Sequence, residues 1–120
     1  MDSVRSKLGK LAEEFTCEYL YSLGYIIIER NWYSSCGEID IIARSKDLNT
    51  LVFIEVRCRK IGALVGAVES VSSKKAEKVR KAAELYIYDN KIDMDCRIDV
   101  IGMSHEKGNM KIVEHIKNAF

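Results

Sequence analysis

The sequence predicts an α/β (α+β) domain, and three observations carry that prediction. Apolar residues recur at helical spacing over residues 3–23 and again after Ser72. Three segments between those helices are β-branched, aromatic or alternating, and two more strand-like segments close the chain.

Ser3 caps the first predicted helix, in which Leu8, Leu11, Ala12, Phe15, Tyr19, Leu20 and Leu23 follow helical spacing and Gly24 supplies a left-handed stop. Tyr25 to Trp32, Glu38 to Arg44 and Thr50 to Cys58 then read as a three-strand meander, with the polar segment 45–49 as one connection. A glycine-containing loop, Gly62 to Ser70, leads to a second helix capped by Ser72. Ala76, Val79, Ala83 and Tyr86 share one face of that helix, and Asn90 lies near its end. Arg97 to Met103 and Met110 to Ile116 form a last hairpin around His105-Glu106-Lys107-Gly108-Asn109. The predicted order is α-β-β-β-α-β-β.

At 120 residues the chain reads as a single domain, residues 1–120, large enough to bury about two thirds of its unfolded surface. Its composition, 48% hydrophobic and 31% charged, is that of an ordinary globular protein and shows no linker or repeat. Cys17, Cys36, Cys58 and Cys96 are far apart with no C-x-x-C pair, which argues against a zinc knuckle or a dithiol redox motif and for reduced, mostly core thiols. The first twenty residues are interrupted by charges every few positions, so neither a signal peptide nor a membrane span is read, and the cytoplasm is the expected location.

The net charge of +1 is unevenly spread. Residues 57–81 hold eight lysines and arginines against two glutamates, a net of +6, and the remainder carries −5. Such a basic segment suits a polyanion such as nucleic acid, with Arg59, Lys60, Lys74, Lys75 and Lys78 as candidate contacts; a solvated helix face is the plainer alternative.

Chemistry concentrates in Gly37-Glu38-Ile39-Asp40 and Phe53-Ile54-Glu55-Val56-Arg57. Strand alternation places Glu38 and Asp40 on one face with Ile39 and Ile41 on the other, and puts Glu55 and Arg57 on a common face. Carboxylates embedded in apolar strands are costly to bury unless they pair or bind a cation. Asp40 and Glu55 suit the one or two carboxylates that hold Mg²⁺ or Mn²⁺, Glu38 joins them or orients a ligand, and Arg57 is placed to stabilise phosphate charge. A surface ion pair with Arg57 or Arg59 is the competing reading.

The two motifs in this order resemble the PD-(D/E)XK, restriction-endonuclease-like superfamily, which carries an acidic residue on one strand and Glu-x-Lys on the next. Over nearly the whole chain the sequence is similar to the YraN-like family of bacterial proteins. The likeness runs through Leu8-Gly9-Lys10, the two motifs above, Lys75 and its helix, Asp95-Cys96-Arg97-Ile98-Asp99-Val100 and Ile116-Lys117-Asn118-Ala119-Phe120. That family in turn is similar to Holliday-junction resolvases. The resemblance implies a mixed central sheet flanked by helices and a metal-dependent endonuclease acting on DNA, including branched or damaged DNA. It also implies a homodimer, meeting through an exposed sheet edge or the loop Gly62-Ala63-Leu64-Val65.

Carried onto this chain, the family's catalytic positions fall on Glu13, Asp40, Glu55 and Arg57. Arginine stands where nuclease relatives have lysine; it cannot act as a base near neutral pH, yet it can donate two hydrogen bonds to a phosphate. A non-catalytic nucleic-acid-binding module, or a protein-interaction subunit with a vestigial site, is therefore the alternative function.

Five further readings complete the picture. Glu13 either reaches the sheet or is solvated, and Lys75 either contacts phosphate or is merely exposed. Arg97 and Asp99 read as structural charges pairing across strands, and His105 and His115 as solvent-exposed histidines without zinc spacing. Trp32 and Tyr33 read as packing residues, with base stacking as the rarer use.

Overall fold

The computed structural model describes residues 4–62 and 65–120, with side chains described from residue 7 onward. The expected cap Ser3, and Ala63 and Leu64 of the expected contact loop, lie outside the described residues. The order is α1 (Val4–Ser22), β1 (Ile26–Tyr33), β2 (Glu38–Arg44), β3 (Thr50–Lys60), α2 (Ser73–Asp89), β4 (Asp95–Glu106) and β5 (Asn109–Ile116). All five strands form one sheet in sequential order. The pairs β1·β2, β2·β3 and β4·β5 are antiparallel and β3·β4 is parallel, so the sheet is mixed. The parallel pair is what α2 makes possible, since such a connection must cross over one face.

Each helix covers one face. On the first, Cys17 and Leu20 of α1 pack with Ile41, Ala43, Val52, Ile54 and Ile101. On the second, Val79, Ala82, Ala83 and Tyr86 of α2 pack with Ile39, Ile42, Leu51 and Phe53, and Trp32 joins them edge-on to Tyr86 at 5.3 Å. Trp32 is thus a packing residue, whereas Tyr33 is exposed. The second helix is capped as expected: the Lys75 backbone N–H donates to Ser72 Oγ at 3.1 Å. Two expected core positions of the first helix are not core, since Leu11 is 52% exposed and Leu23, just past the end of α1, is 40% exposed. Helical spacing defines a wider stripe than a single sheet face covers.

The strands β3 and β4 run longer than the sequence pattern, because they pair continuously from Thr50↔Asp95 to Lys60↔His105. Charged residues such as Arg59, Lys60 and Asp95 are carried into the ladder by this pairing and not by their own propensity. All four cysteines are free as expected, although only Cys17 is buried.

His115 departs from expectation. It is a half-buried member of a polar network, with its side chain only 9% exposed. Its Nε2 lies 2.8 Å from Asp99 Oδ2 and its Nδ1 shares a 2.9 Å hydrogen bond with the Tyr19 hydroxyl. Arg97 Nε–H donates to Asp99 Oδ1 at 2.9 Å, and the Asn118 backbone N–H donates to the same oxygen at 3.1 Å. Arg97 and Asp99 therefore pair along one strand, not across two. Asp99 is fully buried, and the His115, Arg97 and Asn118 hydrogen bonds outweigh its desolvation and hold its carboxyl below the usual range. The histidine is covered because α1 crosses this face and brings Tyr19 onto the β5 edge; strand alternation alone does not report that coverage.

Candidate functional site

The decisive local feature is a break in alternation at Asp40. Ile41 packs on the α1 face and Ile39 on the α2 face, although regular alternation would put them together. The expectation that Ile39 and Ile41 share a face is corrected by this geometry. Its cause lies in both neighbouring strands. Pairing of β2 with β3 runs from Arg44↔Leu51 only as far as Ile41↔Ile54. Continued register would match Ile39 with Val56, but the Val56 N–H instead donates to Asp40 Oδ2 at 2.8 Å. On the other side, Asn31 falls between the pairs Arg30↔Ile41 and Trp32↔Ile39, opposite Asp40, and has a left-handed φ of 51°. Asparagine tolerates that conformation better than most residues. The kink opens β2 away from β3, and the Asp40 carboxylate occupies the opening.

The segment before Asp40 is held by α2. Gly37 (φ +151°) rests on the helix backbone so closely that a Cβ would lie 3.2 Å from the Lys78 carbonyl oxygen, which explains glycine there. The opposite wall comes from the first turns of α1. The result is a cavity of about 520 Å³ lined by Leu8, Gly9, Ala12, Glu13, Glu38, Asp40, Glu55, Val56, Arg57, Cys58 and Lys75. Glu13, Glu38, Asp40, Glu55, Arg57 and Lys75, the residues nominated for catalysis and metal binding together with one nominated lysine, meet there.

Glu55 is 3% exposed, and its Oε2 has no hydrogen-bond partner. Its other oxygen faces two cations, with Arg57 Nη1 and Lys75 Nζ each 3.9 Å away. Burial first, and then the Asp40 charge, push the Glu55 carboxyl up to about 7, against the opposing pull of Lys75 and Arg57. Asp40 is raised as well, chiefly by burial, with the Val56 N–H working against the shift. Glu13 also has a buried oxygen without a partner, Oε1. Burial and the nearby Asp40 raise its carboxyl, while a hydrogen bond from the Asn31 side chain lowers it. Glu38 is the outermost carboxylate, 44% exposed and 4.0 Å from Lys75 Nζ.

A plain surface ion pair does not describe this arrangement. Buried carboxylate oxygens left without donors are costly, and they suit a cation. Among the described residues no three His, Cys, Asp or Glu groups already enclose an ion-sized space. Asp40 and Glu55, with Glu13 or Glu38 beside them, nevertheless offer the hard oxygen donors that Mg²⁺ and Mn²⁺ require, and both ions keep several waters of their own.

The remaining nominated cations are dispersed. Lys74 and Lys78 are exposed on α2 beyond the cavity. Arg59 turns away from it, donating from Nη1 to the Gly66 carbonyl at 3.2 Å, and lines a separate shallow groove with Lys60 and Lys111. Asn31 is a site residue that pattern reading missed. Its one signal was an asparagine inside an otherwise strand-forming run.

This mixed sheet between two helices, with carboxylates from three elements converging where adjacent strands part, defines an α+β domain of restriction-endonuclease-like architecture. The model of Uncharacterised protein family UPF0102 matches residues 12–103. Relatives described as UPF0102 proteins agree over nearly their full lengths. The one from Dictyoglomus turgidum is 40% identical across 95% of this chain and 97% of its own. The one from Desulforamulus reducens is 40% identical across 99% of each, and the one from Thermodesulfovibrio yellowstonii is 42% identical across 97% of each. The chain belongs to family UPF0102, consistent with the YraN-like resemblance. No helix among the described residues is long and apolar enough to cross a membrane.

Proposed function

We propose that this protein is a Mg²⁺- or Mn²⁺-dependent endonuclease that hydrolyses DNA phosphodiesters, with branched or damaged DNA among its substrates. The observation that carries this reading is the pair of buried, partnerless carboxylate oxygens, Glu55 Oε2 and Glu13 Oε1, in one cavity with Asp40. Asp40 and Glu55 would hold the ion, with Glu38 and Glu13 as supporting acids. The ion would supply charge neutralisation at the scissile phosphate and a more acidic water.

The chain's own residues account for the rest. The Val56 N–H fixes the Asp40 carboxylate, and Arg57 directs N–H groups toward the space beside Glu55, where a phosphate oxygen would sit. Lys75, from the first turn of α2, adds an ammonium on the same side. It provides the lysine charge that Arg57 does not, from a different element. Lys74, Lys78, Arg59 and Lys60 would contact backbone phosphates farther along the nucleic acid. Cytoplasmic location and a homodimer belong to this proposal, the edges β1 and β5 being open to a second copy.

Incubation of the protein with branched, nicked and single-stranded DNAs and Mn²⁺ tests the reading. Metal-dependent cleavage that disappears in Asp40→Asn is expected. No cleavage of any substrate, or cleavage that survives the substitution, refutes it. One observation favours a non-catalytic nucleic-acid-binding module instead: Lys75 Nζ already lies between Glu55 and Glu38, as an internal counter-ion would. Binding of DNA without any Mn²⁺ binding at the cavity identifies that case.

A further inference from the structure

We infer that Ser70 is a positioning residue for Arg57, and that Glu114 on β5, outside the cavity, holds Ser70 in place. The assignment of Arg57 to phosphate binding rests on the function proposed above; the strap itself does not. Arg57 Nε–H donates to Ser70 Oγ at 3.1 Å, and Nη2–H donates to the Ser70 carbonyl at 3.4 Å. The Ser70 hydroxyl proton is used elsewhere, donated to the Ala67 carbonyl at 2.6 Å. A hydroxyl has one proton, so its lone pairs are turned toward Arg57. The guanidinium is thereby gripped on one side, leaving Nη1 on the Glu55 side at 3.9 Å.

The segment that presents Ser70 is itself fastened to the far end of the sheet. The Ala67 backbone N–H donates to Glu114 Oε1 at 2.7 Å, and Arg59 lies 3.8 Å from the same oxygen while bonding the Gly66 carbonyl. Ala67 is fully buried against Gly102 of β4; a Cβ at that glycine would come within 2.5 Å of the Ala67 Cβ. The missing side chain at Gly102 is what lets the strap lie flat on the sheet. A lysine at position 57 carries a single terminal ammonium and could not bond Ser70 through a mid-chain N–H while reaching toward Glu55. The strap therefore gives a physical reason for arginine at this position.

The test reads Arg57 directly, by exchange of its Nε–Hε proton with water in ¹H–¹⁵N spectra, alongside cleavage. Ser70→Ala is expected to speed that exchange by about tenfold, and Glu114→Ala to speed it severalfold. Ser70→Thr keeps a hydroxyl and Glu114→Gln keeps an acceptor for the Ala67 N–H, so both are expected to stay near wild type. Unchanged exchange in Ser70→Ala, or in Glu114→Ala, overturns the inference. Where the wild type cuts DNA, Ser70→Ala is expected to lower kcat with little change in KM; an unchanged kcat overturns the positioning role. A wild type that cuts nothing refutes the nuclease reading, while the exchange data still decide whether Ser70 and Glu114 order Arg57.

Discussion

Replacing Glu55 with glutamine should stabilise the metal-free protein at pH 8 while removing its response to metal. Glu55 is 3% exposed, and its carboxyl is pushed from an ordinary 4.5 up to about 7 by burial and by Asp40. A raised acid binds its proton more tightly in the folded than in the unfolded state. Its contribution is therefore fully present below pH 4.5, is lost as pH rises from 4.5 to 7, and stays lost above 7. At about 1.4 kcal/mol per pH unit of displacement, this single group withdraws roughly 2 to 3 kcal/mol between pH 5 and pH 8. For a domain of this size that is a fall in Tm of about 10 °C. Thermal melts of wild type and Glu55→Gln in chelator, at pH 5 and pH 8, read the group together with its repulsion of Asp40, which the variant also removes. The variant is expected to fall less steeply and to exceed wild type at pH 8 by about 1 to 3 kcal/mol, allowing for its weaker contacts with Lys75 and Arg57. Added Mn²⁺ should raise the wild-type Tm at pH 8 and leave the variant unmoved. A variant that is less stable than wild type at pH 8, or that follows the same pH slope, refutes the reasoning.

Four other outcomes follow. Asp40→Asn should keep an acceptor for the Val56 N–H, leave stability within about 1 kcal/mol, and lower cleavage at least about 10²-fold; loss of fold in a denaturant melt would show that the charge is structural. Arg57→Lys should slow cleavage about tenfold or more, since lysine forfeits the Ser70 grip; faster single-turnover cleavage would mean that arginine limits the rate. Alanine at Lys74, Lys75 and Lys78 together should weaken DNA binding and reduce the slope of log K against log salt by about 0.9 per lost phosphate contact, and an unchanged slope removes these residues from the interface. Asp99→Ala should cost about 2 to 4 kcal/mol in a denaturant titration, because it leaves the half-buried Arg97 and His115 without their shared acceptor; a loss below about 1 kcal/mol would contradict the network.

The parts of the fold legible in the sequence are those decided by short-range physics. Ser72 caps α2 because its hydroxyl reaches a free N–H three residues on, and that relation depends on nothing else in the chain. The limits of β2 follow from the Gly37 turn before it and the polar segment 45–49 after it. The full length of β4 was hidden, because Asp95 and Glu106 are strand residues only through their partners on β3 and β5. His115 looked exposed for a related reason: its burial depends on Tyr19, 96 residues away in sequence. Within the site, Asp40, Glu55 and Arg57 were readable as types in a pattern. Their convergence was not, since it requires the kink at Asn31 and Asp40, where the alternation used to predict it fails.

That kink also shows why the site's cost falls where it does. A carboxylate inside a continuous ladder would displace a backbone hydrogen bond and bury a charge with nothing in return. At the point where β2 and β3 part, the Val56 N–H has already lost its ladder carbonyl, so Asp40 satisfies a donor that would otherwise be orphaned. The opening that strands this N–H also admits α1 from one side and α2 from the other. Glu13 and Lys75 arrive with them. Glu55 keeps a regular strand position and is left with an oxygen that nothing satisfies. In a sheet whose other buried carboxylate, Asp99, is held by an arginine, a histidine and a backbone N–H, that contrast is what the proposed metal role of Glu55 rests on. Asp99 is saturated by its own protein and serves the fold, whereas Glu55 has coordinating capacity left for something from outside.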